Sequence, residues 1–209
     1  MTPDVALATL AFPSRLPAAA VPAEADEDGR LLEASVREPD RFTLIFDKYF
    51  PQVHGYVARR LGPDVADDLA AETFLIAFRQ RDRFDRRSGV VRAWLYGIAT
   101  NLIRRHRRDE VRAWRALAKL PPPLPVTGAE ELIAAQVTAQ GTRRELAAAL
   151  AKVSAKDREV LLLVALGQLT YDEVAAALGI AYGTVCSRLS RARRIVRDAL
   201  GHNPTGGDA

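Results

Sequence analysis

Cysteine occurs once, at Cys186, so neither an intrachain disulfide framework nor a Cys-based zinc site can be built. The three histidines, His54, His106 and His202, stand far apart without ligand spacing. Nothing in the chain has the residue set of a metal centre or a hydrolytic site, and no cofactor is expected. No apolar run reaches the ~18–20 residues that a membrane span needs. Residues 5–20 are apolar and alanine-rich but have no basic leader before them. They read as a mobile tail rather than a signal peptide, which makes a cytoplasmic location the expectation.

What is present is enough hydrophobic material for real cores and an uneven distribution of charge. The 209 residues are 48% hydrophobic, which suits one or two small domains. The formal charge is only +4, but its placement matters more than its size. Residues 24–28 (EADED) hold four acids, whereas residues 101–115 hold six arginines against Asp109 and Glu110. Clustered basic charge is what an anionic partner such as nucleic acid requires.

Residues 1–28 mix Ala, Pro and acids without periodicity and are expected to be disordered. Order should begin near Gly29. A short helix around Leu31, Leu32 and Val36 would stop at Pro39, with Asp40 capping a longer one to about residue 61 in which Pro51 could place a kink. Gly62-Pro63 is a break. Asp64–Gln80 follows as a helix that is apolar over much of its circumference. Asp67, Asp68 and Glu72 form an acidic stripe near its start, either as favourable charge at a helix N-terminus or as part of a docking face for a basic protein. Arg81–Gly89 (RDRFDRRSG) is a basic loop containing Phe84, and Val90–His106 is a helix with Arg92, Asn101, Arg104, Arg105 and Arg107 opposite its apolar stripe. A basic helix beside a basic loop bearing an aromatic can hold an unpaired nucleic-acid strand. Base rates place Phe84, Trp94 and Tyr96 in the core rather than on a stacking platform. Periodicity fails over residues 109–128 around PPPLP, the mark of a semi-rigid linker. The expected fold is therefore all-α: two small helical domains, at 29–108 and 129–200, joined by a Pro-containing linker, with a frayed tail at 201–209.

The second domain ends in its most informative stretch, LTYDEVAAALGIAYGTVCSRLSRARR (Leu169–Arg194). Thr170 and Glu173 make a capping box. Val174, Ala177 and Leu178 give a short helix with one buried face, and Gly179 suits a left-handed C-terminal turn. A second helix starts near Tyr182 with Val185, Leu189 and Ala192 inward. Its other face carries Thr184, Ser187, Arg188, Ser190 and Arg191, side chains that can reach base edges and phosphates in a major groove. This is the pattern of a helix-turn-helix.

Taken together, these segments resemble the extracytoplasmic-function (ECF) group of bacterial RNA polymerase sigma factors. DDLAAETFLIAFR is similar to that family's helix for the polymerase coiled coil. RFDRRSGVVRAWLYGIATNLIRRHRR is similar to its promoter-melting loop and −10-reading helix, and REVLLLVALGQLTYDEVAAALGIAYGTVCSRLSRAR to its −35-reading domain. The resemblance implies a dissociable specificity subunit, not an enzyme, that binds polymerase core and promoter DNA without ATP. It implies core-binding roles for Asp67, Asp68, Leu69, Glu72 and Phe74, with Leu69 and Phe74 partly in the domain core. It implies −10 contacts from Arg83, Phe84, Asn101, Arg104 and Arg105, and −35 contacts from Thr184, Ser187, Arg188, Ser190 and Arg191. An anti-sigma factor acting in trans is a further implied partner.

Two positions depart from the family pattern. Cys186 stands where a Lys or Arg is usual and cannot supply a charge-assisted contact. Ala181 replaces the usual polar cap, a loss of ~0.5–2 kcal/mol of local stability. The competing reading is a two-domain regulator that binds duplex operators without polymerase. A nuclease would need a clustered set of acidic or histidine metal ligands, which the sequence lacks.

Overall fold

The computed structural model describes residues 23–85, 90–117, 146 and 148–201. Residues 1–22 of the expected tail, the loop residues 86–89, most of the linker, residues 129–145 and 147 of the helix expected over 129–151, and the tail beyond 201 lie outside the described residues; 148–151 of that helix are helical as expected. Among the described residues, seven α-helices have both ends defined: α1 (Ala23–Ala34), α2 (Phe42–Leu61), α3 (Ala66–Gln80), α4 (Val91–Leu117), α5 (Ala155–Ala165), α6 (Tyr171–Leu178) and α7 (Tyr182–Ala199). No strand occurs among the described residues.

The first four helices pack into one unit. α3 shows why: Ala66, Leu69, Ala70, Thr73, Phe74 and Ala77 recur at i, i+3, i+4, i+7, i+8 and i+11, and all six are buried. They meet Ile45, Tyr49, Val53 and Val57 of α2 and Leu95, Ala99 and Ile103 of α4. Phe74 lies among the rings of Phe42, Phe46 and Phe50 at centroid separations of 5.1–6.5 Å, the edge-on and tilted contacts that aromatic quadrupoles favour. Pro51 sits inside α2.

Three boundaries differ from expectation. Ala23–Ala34 is helical, so the ordered chain already includes residues ahead of Gly29. Asp28 is buried beneath Lys48, whose ammonium reaches both its carboxylate oxygens at 2.8 Å, and the Tyr49 hydroxyl donates to it as well. Burial, then that carboxylate, pushes the Tyr49 phenol upward. An acidic run that reads as solvated tail therefore contains a buried anchor. Second, α4 continues to Leu117, so the helix enters the segment expected to be linker. Third, Asp40 does not cap α2; it sits in a 3-10 turn over Pro39–Arg41, and no side chain caps the helix that follows.

The second unit is a helix-turn-helix braced by α5. Ser154 Oγ accepts from the Asp157 amide to start α5. At α6 both halves of the Thr170–Glu173 capping box form, and Gly179 closes the helix at φ 61°, ψ 41°. α7 follows with Val185, Leu189, Ala192 and Val196 buried.

The two units pack directly together. α4 crosses α6 so closely that a methyl group on Gly97 would lie 2.8 Å from the Ala177 carbonyl oxygen. Gly97→Ala should therefore favour α4 by ~0.5–1 kcal/mol while forcing the two units apart. The expected result is a larger radius of gyration by small-angle X-ray scattering with undiminished helicity. Unchanged dimensions would show that the crossing tolerates a side chain.

Candidate nucleic-acid and polymerase interfaces

α7 presents a face opposite its buried stripe. Ser187, Ser190 and Arg191 are exposed and Thr184 is half-buried on it. Arg194 and Arg197 are exposed too and extend the same side, although neither was among the expected contacts. Arg194 lies one helical turn beyond Arg191 and two beyond Ser187, so the i, i+4, i+7 spacing could have found it. Arg188 is turned differently, toward a cleft between the two units. Cys186 is half-buried, and Ala181 at the N-cap makes no side-chain cap bond.

Arg191 is held by a fork onto Asp157 of α5, with Nε and Nη2 donating at 2.8 and 3.1 Å. The guanidinium's hydrogen bond holds the Asp157 carboxyl below its ordinary value of 3.8. A depressed folded-state value means the stabilisation is present above the unfolded carboxylate's pKa and lost as pH falls through the folded one. Acidification below about pH 4 should release Arg191, visible as broadening or loss of its Nε–H resonance, while Asp157→Asn should remove that acid step. A resonance insensitive to both would reject the pairing.

The −10 candidates divide. Arg83 is exposed at the end of a 3-10 turn, Arg81–Arg83. Phe84 packs on Trp94 with ring centroids 5.3 Å apart and joins the periphery of the core, whereas Tyr96 is buried. Asn101, Arg104 and Arg105 are exposed on α4. Arg104 Nε donates at 3.1 Å to Glu159 of the second unit, and Asn101 lines the same inter-unit cleft as Arg188.

The polymerase candidates are corrected in part. Asp68 and Glu72 are exposed on α3, as is Asp67, which accepts a 2.9 Å contact from His54. Leu69 and Phe74 are buried, at 8% and 3% exposure, so neither can offer a docking surface. Their phase on α3 is that of the core stripe. The apolar exposure instead comes from Leu75 (47%), in phase with Asp68 and Glu72, and from Phe46 (37%) on α2.

Charged side chains also clasp the two units. Arg92 of α4 donates to the carbonyls of Gly167 (2.9 Å) and Gln168 (3.2 Å) and pairs with Glu173 at 3.1 Å. Gln168 has φ 54°, a left-handed backbone that a non-glycine residue adopts only when its surroundings hold it there. Arg59 donates to the Leu166 carbonyl at 2.7 Å. Arg60 and Glu159, with side chains 3% and 8% exposed, pair at 2.6 Å. Among the described residues no group of acids, histidines and cysteines could hold a metal ion, and no helix is long and apolar enough to cross a membrane.

Comparison with known proteins matches both units. Residues 45–114 match the model of sigma-70 region 2, and residues 143–196 match that of sigma-70, region 4. The ECF RNA polymerase sigma factor SigC of Mycobacterium tuberculosis is 33% identical over 182 residues, covering 86% of this chain and 89% of its own length. EcfG of Rhodopseudomonas palustris is 39% identical over 134 residues, 62% of this chain and 68% of its own. Among solved structures, CnrH in complex with the cytosolic domain of CnrY superposes with TM-score 0.57 at 23% identity, covering 84% of this chain and 98% of that one. The sigma factor RpoE of Bartonella quintana, in complex with the anti-sigma factor NepR, gives 0.54 at 24% identity, covering 78% and 98%. Two matched regions in order, on the all-helical fold just described, show that the chain belongs to the ECF group of RNA polymerase sigma factors, which act in promoter-directed initiation of transcription.

Proposed function

We propose that this sigma factor reads a −35 element with the outer face of α7 and a −10 element with α4 and the turn before it, capturing the melted −10 strand. Binding and strand capture, rather than catalysis by the chain itself, drive opening. The observation that carries this reading is the outward face of α7. Ser187, Arg191 and Arg194 stand exposed along it, and hydroxyls and guanidiniums are the groups that bond base edges and phosphates. Thr184 and Ser190 flank that row. Arg83, Asn101, Arg104 and Arg105 form the −10 surface, with the half-buried Phe84 as its support. Core polymerase docks on Asp67, Asp68, Glu72 and Leu75. Arg104 and Arg188 face the inter-unit cleft, so full engagement of both elements requires the two units to part.

An anti-sigma factor is the proposed regulator, supported by the solved complex of the Bartonella quintana sigma factor RpoE with the anti-sigma factor NepR.

The test is transcription in vitro from a genomic fragment library, using purified polymerase core with and without this protein. Promoter-specific transcripts that need both components are expected, and their aligned start sites would give the two elements. Duplex binding without transcripts and without co-migration with core would favour an operator-binding regulator instead.

A further inference from the structure

His54 of α2 lies against the first turn of α3, with its Nε2 2.9 Å from Asp67 Oδ1. An ionised carboxylate only accepts hydrogen bonds, so the ring nitrogen that faces it donates. The ring is held from its other side by aromatic contact. It stacks on Phe50 at a centroid separation of 5.9 Å and an interplanar angle of 26°, and Phe50 stacks in turn on Phe46 at 4.7 Å and 28°. Residues four apart lie one above the next on a helix, so the three rings form a ladder along α2. Phe74 of α3 touches both Phe46 and Phe50, which fixes the ladder from a second helix.

The Asp67 side chain is 87% exposed. A pair this exposed adds little to the stability of the fold; what it decides is where the carboxylate points and how much charge it shows. The charged groups on this side of α2 are acids. Asp67 and Asp68 stand in the first turn of α3, Asp64 in the 3-10 turn Pro63–Val65, and Asp47 two turns earlier on α2. The other helices packed on α2 bring their charges to different sides of it: Asp28 of α1 meets Lys48, and Arg92 of α4 meets Gln52. Among the described residues, Asp67 is the acid within hydrogen-bond distance of the ring.

We propose that His54 is a positioning residue for the polymerase contact at Asp67, and that its protonation sets how much of that carboxylate's charge reaches the partner. The inference rests on the docking face of α3 proposed above. A neutral imidazole orients Asp67 through one oxygen and leaves the full charge and the second oxygen to a cation of the partner. A protonated imidazole neutralises the carboxylate and competes for it. Imidazoles change between these forms in the range of about pH 5–8. Core polymerase therefore binds the neutral form better, and its affinity rises with pH.

The test measures the affinity of the full chain for purified polymerase core at about pH 6 and about pH 8, at fixed ionic strength, for the wild type and for His54→Gln. Glutamine keeps a neutral donor on α2 but takes up no proton. The wild type should gain about threefold in affinity at the higher pH relative to His54→Gln, and the two should bind alike there. The ratio between them removes any titration of the polymerase itself. Asp67→Asn should abolish the gain as well, because the carboxylate that the imidazolium masks is gone. A gain of equal size in all three proteins, or none in the wild type, overturns the proposal. Asp68→Lys with Glu72→Lys tests the docking face separately, since it leaves His54 and Asp67 in place. Undiminished affinity in that variant removes the face and this inference with it, whereas lost affinity without a wild-type pH gain removes the role of His54 alone.

Discussion

Reversing Asp68 and Glu72 to lysine and replacing Leu75 with glutamate should remove this sigma factor from core polymerase, with an affinity loss of about 100-fold or more. The three side chains are exposed on one face of α3, so they are available to a partner and contribute little to the domain's own packing. Surface changes of this kind usually shift stability by no more than ~0.5 kcal/mol, whereas two or three central interface residues can each carry ~2 kcal/mol of binding. Loss of co-migration with core, at native circular dichroism and unchanged melting, is the expected pattern. Phe74→Ala is the contrasting variant. It empties a site among three other phenylalanine rings and should cost ~3–5 kcal/mol of stability, so any loss of polymerase binding would come with a lower melting temperature. Native binding by the triple variant would move the docking surface off α3.

The second large effect is expected at Arg60. Arg60→Ala leaves Glu159 buried with only the half-exposed Arg104 against it. Breaking a buried ion pair from one side typically costs ~3–5 kcal/mol. Because the two partners belong to different units, the carboxylate can regain water by separation of the units rather than by unfolding. Arg60→Ala should therefore expand the molecule in solution scattering while both helical units stay folded. Replacing both partners with apolar residues, as in Arg60→Met with Glu159→Leu, should recover most of the docking. Global unfolding of Arg60→Ala, with no intermediate of separated units, would show that neither unit is stable alone.

Much of the helix-turn-helix was legible in the chain because its signals are local. The capping box at Thr170 and Glu173, the left-handed Gly179 and the inward Val185, Leu189 and Ala192 are all specified within a few residues of where they act. α3 was harder, since acidic, apolar and alanine positions surround it. Only strict attention to phase separates buried Leu69 and Phe74 from exposed Leu75. The inter-unit contacts could not be read at all. Arg60 and Glu159 are 99 positions apart, and nothing local distinguishes either from an ordinary surface charge. The same holds for Asp28 and Lys48: an acid in an acidic run gains its meaning only when α1 lies across α2.

The Arg92 clasp has an evolutionary consequence. Two of its acceptors are main-chain carbonyls, at Gly167 and Gln168, and Arg59 likewise grips the carbonyl of Leu166. A carbonyl is supplied by any residue that keeps the bend. Mutations that change the lettering of the turn but not its course leave this part of the handshake intact. The outer face of α7 takes no part in it. Descendants of this gene can thus acquire new promoter preferences by drift along α7 while inheriting the same closed resting posture.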